Sequence, residues 1–491
     1  MPAVRSHFMT VIINTFKSIW YIIAFFFFSV LNSLDDFKDL SSIKDLKIQE
    51  HSTGGALIGL GILFIIILIF FIFHLLRWWR TKISIEEDTL IITRNQLSQR
   101  KTTVKLSSIS TVNLQQNLFE QIFDLYSLRL DINSAVTANK TDFNLIFDDQ
   151  LAFAFKDYIL RYINGNSHEN HQSEESSLTH DKTDSLRNTI ISFRLKDVMI
   201  HSILSFSIFG LISTISLIGV AIWSFNQDNQ TIHRMVIPAI LSIGVAIVPT
   251  IYKSVTAFLL YYNFTLQKDG DKILISYGLF TRRQFTLPLD KTNALIIKQP
   301  LQARLFNRAY GEIINVGMGD TETHQAPLFC LLVKPSVLQD VIRQIAPEFA
   351  FDEVPERSPR SALIPIMIAW FLWGLVPVIG FTIFHKGWIG WLILLFFLLC
   401  AYLSSITKGL TSYDEKISIT TGIFQKRTIT VFYGKIQHIS VIHGPVSKKL
   451  GLCKGEVSIL SSALNKTNAI GYFPSNRFLE IEERILSHDM Q

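Results

Sequence analysis

The sequence predicts a membrane α + β protein with six transmembrane helices in three hairpins. Each hairpin is followed by a small split β-barrel that ends in one helix. Three observations predict this: long apolar runs come in close pairs, a strand-rich polar stretch follows each pair, and those stretches resemble one another. Of 491 residues, 48% are hydrophobic and 38 are phenylalanine, a balance that suits a membrane protein better than a soluble enzyme. The length exceeds one ordinary core, so several domains are expected.

A helix crosses roughly 30 Å of hydrocarbon with about 20 apolar residues. Residues 9–31, 56–79, 201–223, 235–257, 362–384 and 387–406 meet that requirement. The first run is longer than the apolar part of a cleaved signal peptide, so none is expected. Within each pair the connector is short (32–55, 224–234 and 385–386), so both ends of a hairpin fall on one side. That side carries Arg5, Arg77, Arg80, Lys82, Arg194, Lys196, Lys253, Arg357, Arg360 and Lys408. The connectors hold only Lys38, Lys44, Lys47, Arg234 and Lys386, partly offset by acidic neighbours. Basic flanks mark the cytoplasmic side, which puts both termini and all three polar stretches there. No Asp or Glu lies within the six runs, which disfavours an ion-coupled path, because such a path needs ionisable groups at mid-membrane. Pro365, Gly374, Pro377 and Gly380 read as a kink or as close-packing positions in the fifth run.

The polar stretches are one unit three times over. A shift of 144 places Gly278 on Gly422, Phe280 on Phe424, Arg283 on Arg427, Lys291 on Lys435 and Gly311 on Gly455 without a gap. A shift of 183 brings Asn95 under Gly278, Arg100 under Arg283, Leu118 under Leu301 and Phe123 under Phe306. Such constant offsets define an internal repeat. Ile83/Ile85, Ile273/Ile275 and Ile417/Ile419 alternate with polar residues, as half-buried strands do. Asn95, Gly278 and Gly422 fall at a turn, where Gly and Asn adopt a left-handed backbone at least cost. Amphipathic runs at 150–162, 336–345 and 475–486 close the copies, the last two opened by Pro-Ser with serine as the expected cap. The plan is therefore helix pair 1 in 1–80, barrel 1 in 81–163, linker 164–186, pair 2 in 187–260, barrel 2 in 261–347, linker 348–361, pair 3 in 362–410 and barrel 3 in 411–491. Residues 164–184 are polar and lack aromatics, so a disordered linker is expected, with His168, His171 and His180 solvated.

Paired helices followed by Gly-x-Phe-x-x-Arg, a Thr-rich strand and a Leu-x-x-x-x-Phe stretch resemble the bacterial pleckstrin-homology-like (bPH2-type) membrane proteins of the YdbT family. The resemblance covers nearly the whole chain. It implies a multi-pass plasma-membrane protein with three PH-like domains, a role in envelope stress resistance, and a related shorter membrane protein or a second copy as partner.

Candidate site residues are basic and recur at matched positions. Arg100, Arg283 and Arg427 align; Arg282 aligns with Lys426; Arg304 aligns with Lys448. A cation near an anionic leaflet gains roughly 1 kcal/mol, and the planar fork of arginine suits phosphate. These seven are therefore the expected contacts to anionic lipid headgroups. The plainer reading of the same residues is a solvated strand face. Leu118, Phe123, Leu301, Phe306 and Leu450 read as core residues, with a protein-contact surface as the alternative. Cys330, Cys400 and Cys453 lack metal spacing, and no nucleophile elbow, HExxH or phosphate loop appears. No catalytic residue, metal, cofactor or nucleic-acid partner is expected. The function predicted is a non-catalytic membrane scaffold whose domains bind anionic lipid or partner proteins. A transporter or flippase-like protein, or an assembly subunit joined by strand edges, are the alternatives.

Overall fold

The computed structural model describes residues 4–34, 52–86, 88–95, 99–132, 143–165, 188–205, 244, 248–289, 292–315, 327–350, 355–383, 387–459 and 466–489. Of the predicted linker 164–186, residues 164 and 165 belong to a helix, while 166–186 with all three histidines, and most of the third and fourth apolar runs, lie outside the described residues. The chain forms two compact units, one of residues 1–109, 119–129 and 143–172, the other of 110–118, 130–142 and 173–491.

Copy one contains helices α1 (Met9–Leu34) and α2 (Ser52–Trp79), then strands β1 (Thr81–Glu86), β2 (Thr89–Asn95), β3 (Gln99–Lys105) and β4 (Ile109–Gln116). A short helix α3 (Leu118–Ile122), strands β5 (Leu125–Ile132) and β6 (Phe143–Asp148), and helix α4 (Asp149–Gly165) complete it. In the first unit β1, β2 and β3 pair in order, Ile83 opposite Ile92 and Leu90 opposite Val104. The alternating residues Ile83, Ile85, Leu90 and Ile92 are buried. On α4, Phe155 stacks on Phe147 at 5.0 Å.

Copy two begins with β7 (Asn188–Ser192) and α5 (Leu195–Leu204). It continues through β8 (Thr265–Asp269), β9 (Lys272–Tyr277), β10 (Arg282–Pro288), β11 (Thr292–Pro300), α6 (Leu301–Leu305), β12 (Ala309–Asn315), β13 (Leu328–Val333) and α7 (Pro335–Ile345). Copy three runs from β14 (Glu356–Arg357) through the helix pair α8 (Leu363–Ile383) and α9 (Gly387–Thr407). Strands β15 (Gly409–Ser412), β16 (Lys416–Thr421), β17 (Gln425–Phe432) and β18 (Ile436–Ile442) follow. Helix α10 (Pro445–Lys449), β19 (Leu452–Ile459), β20 (Lys466–Pro474) and α11 (Ser475–Asp489) end the chain's fold. Leu338, Val341, Ile342 and Ile345 of α7 plug the core of copy two, beside Phe264, Ile275 and Phe329. Phe478 and Ile481 of α11 do the same for copy three, beside Ile419, Val431 and Ile470.

One feature recurs that composition does not signal. A segment ahead of each helix pair binds the first strand after it: Val4 bridges Ile83, β7 pairs with β8, and β14 pairs with β15. The sheet thus ties together both ends of each excursion.

Six spanning helices are not supported. Among the described residues two helices are long and apolar enough to cross a membrane, residues Arg360–Ile383 and Trp388–Thr407. The described apolar helical stretch of the first pair is Phe64–Trp79, and of the second pair Val248–Leu260. Length and apolar content of a run do not by themselves establish a span, since a buried core helix passes the same test. The α8 helix continues through Pro377, and the bare backbone of Gly374 lets Leu394 of α9 approach within 2.4 Å of where a Cβ would stand. Gly278 and Gly422 take φ of 116° and 106°, whereas Asn95 ends strand β2 opposite Gln99. The cap of α7 is Lys334 with proline at the first turn. Proline's fixed φ starts that helix, and Ser336 lies inside it.

Candidate functional site

The copies are joined edge to edge, twice in the same way. In the second unit β4 pairs with β10, placing Leu114 opposite Gln284, Gln115 opposite Arg283 and Gln116 opposite Arg282. β11 pairs with β17, placing Ile297 opposite Thr428, Lys298 opposite Arg427 and Gln299 opposite Lys426. The repeat shifts of 183 and 144 carry the first set of pairs onto the second, so both joints share one register. At the second joint, strands β13-β12-β11-β17-β16-β15-β14 form one continuous sheet. Ala294 and Ile296 of β11 are fully buried in the core of copy three.

Charge is buried at that joint. Lys298 Nζ donates to Glu312 Oε1 at 2.6 Å, and the Glu312 side chain is only 6% exposed. Lys298 also stands 6.0 Å from the Tyr310 ring centroid, and Gln425 Nε2 donates to Tyr310 Oη at 3.0 Å. Burial, and then Glu312, raise the Tyr310 phenol above its usual range. Burial pulls Arg427 down from the ordinary guanidinium range, while Glu312 and Tyr310 push it back up. The Glu312 carboxylate pairs with Lys298 and acts on Arg427 through its charge, which offsets part of their desolvation.

Beside the joint lies a second set of cations with a different environment. Arg304 Nη1, on α6, donates to the Ile423 carbonyl of copy three at 3.3 Å. Burial lowers the Lys426 ammonium below its usual range, and the nearby charges of Arg304 and Arg357 lower it further. Arg357 sits three residues ahead of the apolar helix Arg360–Ile383. Among the described residues no carboxylate lies within ion-pair distance of Arg304, Lys426 or Arg357. The charges of Arg304 and Arg357 thus both reach Lys426, and Arg357 precedes a helix long enough to cross a membrane.

The predicted site residues divide accordingly. Arg283 and Arg427 lie in the joints, Arg283 only 7% exposed, so a surface strand face does not describe them. Arg304 and Lys426 come together, and Arg282 is exposed opposite Gln116. Lys448 is exposed on α10, away from any joint. Arg100 lies on β3 opposite Arg94. Arg357, Lys298, Glu312 and Tyr310 were not singled out as site residues by sequence. Only the aligned glutamates Glu312 and Glu456 offered a signal. The apolar set also needs revision. Leu118, Phe123 and Phe306 are 48%, 50% and 64% exposed, with Leu305 at 79%, so they are not core. They belong to the short helix that follows the fourth strand of each copy, or to the residue just after it. Among the described residues no three His, Cys, Asp or Glu side chains gather as a metal site would require.

The description "Bacterial PH domain" belongs to a family model that matches residues 39–162, 200–345 and 363–488, one match for each copy. The chain is 24% identical over 467 residues to the UPF0699 transmembrane protein YdbT of Bacillus subtilis (strain 168), covering 92% of this chain and 90% of that protein. No solved structure matches it. Three matches that together take in most of its length make the chain a member of the bacterial PH domain family, and a membrane protein of the YdbT type.

Proposed function

We propose that the chain is a non-catalytic membrane scaffold whose PH-like domains hold the anionic leaflet of the plasma membrane through cations at their joints. The domains face the cytoplasm in this reading, where anionic lipids and basic helix flanks coincide. The observation that carries it is that Arg304, bonded to the Ile423 carbonyl beside Lys426, and Arg357 both act on Lys426 with no carboxylate at ion-pair distance among the described residues, just ahead of an apolar helix of spanning length. Burial strips part of the hydration from Lys426, and a phosphate beside it would relieve its repulsion from the exposed Arg304 and Arg357. The exposed Leu305 and Phe306 beside Arg304 suit the boundary between headgroups and acyl chains, where an apolar side chain next to a cation is at home.

An isolated second domain is a poor test, since it would lose β4 on one edge and β17 on the other. The test uses the full chain purified from a membrane of mixed lipids, with retained phospholipid counted by native mass spectrometry. The comparison protein carries Arg304→Gln, Arg357→Gln and Lys426→Gln. Retention of anionic over zwitterionic lipid by the parent, and its loss in the folded variant, is the expected result. Equal retention in both would remove the headgroup reading.

A further inference from the structure

Where α1 and α2 meet the first β-sheet, a cavity of about 300 Å³ opens within the first unit. Its walls come from both helices, from β1 and β2 through Ile83 and Ile92, and from β6 through Asn144 and Leu145. The cavity is held open by defined contacts. Ser18 Oγ and His74 Nε2 lie 3.0 Å apart, linking α1 to α2. Trp78 Nε1 donates to the Ser6 carbonyl at 2.6 Å, and the Trp78 ring meets Phe8 edge-on at 5.4 Å.

Its lining is one-sided in charge. Lys17 and Arg77 both face it and no Asp or Glu does. Neither cation has a carboxylate within ion-pair distance among the described residues. The amides of Asn14 and Asn144 add neutral donors, and the His74 Nδ1 atom is buried without a hydrogen-bond partner. A pocket with two uncompensated cations, an arginine fork and amide donors is suited to a phosphate ester. The volume is at the small end for ligand sites, enough for a headgroup and not for a whole lipid. Ile12, Phe16, Phe73 and Leu76 on the same two helices are 41%, 56%, 51% and 44% exposed, which leaves apolar surface for acyl chains outside the pocket.

We propose that this cavity binds the phosphate of one anionic phospholipid, with Lys17 and Arg77 as its charge partners. The site is separate from the cations of Arg304, Lys426 and Arg357, and shares with that reading only the chemistry of the ligand. It is tested on the full chain in a non-ionic detergent by calorimetric titration with short-chain phosphatidylglycerol and, separately, with glycerol phosphate. The variants are Lys17→Gln, Arg77→Gln and the pair together. Both positions are exposed, and the unfolding temperature of each variant reports whether it folds. The expected result is saturable binding of one lipid per chain, at least about tenfold weaker in the double variant. Lys17→Arg is expected to retain binding, since it keeps the charge. Binding of the lipid alone assigns the site to a membrane source. Equal binding of glycerol phosphate would overturn that source and leave a site for soluble phosphate esters. No saturable binding, or binding unchanged in the folded double variant, overturns the proposal outright. The Arg304, Arg357 and Lys426 triple variant is expected to leave this titration unchanged, so failure at one site is not read as failure at the other.

Discussion

Strands β11 and β18 hold the same place in successive copies, 144 residues apart, and they treat their outer edges differently. On β11 the residues that meet the next copy are Ala294 and Ile296, both fully buried in the core of copy three. On β18 the equivalents are His438 and Ser440, and among the described residues no further strand pairs there. At the other end β3 occupies the place of β10 and β17, yet it presents exposed Lys101, Thr103 and Lys105. The apolar pair marks the second joint alone: on β4, which is also joined, the equivalents are Thr111 and Asn113, and β3 and β18 leave polar or lysine-bearing edges unpaired among the described residues. Terminal repeats need such faces to stay soluble, and lysine on an edge strand discourages further pairing. The fold position is therefore constant, and an apolar pair there buries the second joint in the core of copy three, while the first joint is made with polar residues at the same place.

The comparison breaks hardest at Ile296. Ile296→Asp places a carboxylate in the core of copy three and is expected to cost more than about 4 kcal/mol. Ile296→Ala leaves a cavity worth about 2–4 kcal/mol. Ser440→Asp, at the equivalent place in β18, is expected to stay within about 0.5 kcal/mol. Denaturant unfolding of the full chain in detergent checks all three, and equal losses at 296 and 440 would erase the distinction between joint and cap. A smaller effect is expected from Glu312→Gln, which leaves Lys298 and Arg427 sharing a buried site with no carboxylate. About 2 kcal/mol is expected there. Glu456→Gln removes a half-exposed partner of Lys454 at 3.4 Å and should cost less than about 1 kcal/mol. Next comes Gly422→Ala. Its φ is +106° and an added Cβ would stand 1.8 Å from the Gln425 carbonyl oxygen, so about 1–3 kcal/mol is expected. Gly434→Ala meets nothing within 4 Å and should be near neutral. The smallest effect on stability belongs to Lys426→Gln, which removes a cation repelled by Arg304 and Arg357. Unfolding should change by no more than about 0.5 kcal/mol, and retained anionic lipid should fall.

Much of the fold was legible because it is local. The offsets of 183 and 144, the alternation around Ile83 and Ile273, and the closing helices α7 and α11 all follow from periodicity within one copy. The left-handed turns at Gly278 and Gly422 were legible for the same reason. The joints were not, since β4–β10 and β11–β17 pairing is made by backbone groups that leave no side-chain signature. That is why Arg283 and Arg427 read as a charged face when Arg283 is buried and Arg427 half-buried between copies. The segments ahead of the first and third helix pairs escaped notice because Val4 contributes a single bridge and β14 has two residues, whereas β7, with five, was absorbed into the second helix pair. Apolar content gave six spans where the described residues support two. It also placed Leu118, Phe123 and Phe306 in the core, because period alone does not say whether an apolar face is covered.

The shared register of the two joints is most directly tested by cross-linking. Cysteines are placed at Gln116 with Arg282, and at Gln299 with Lys426, in a chain with Cys330, Cys400 and Cys453 changed to alanine. A short thiol-to-thiol reagent should link both pairs within one chain, in membranes as well as in detergent. It should link Gln299 far less to Phe424, two residues along the partner strand's path. Linkage of one pair without the other, or of a shifted register at either joint, would contradict a repeated joint and separate Lys426 from Arg304.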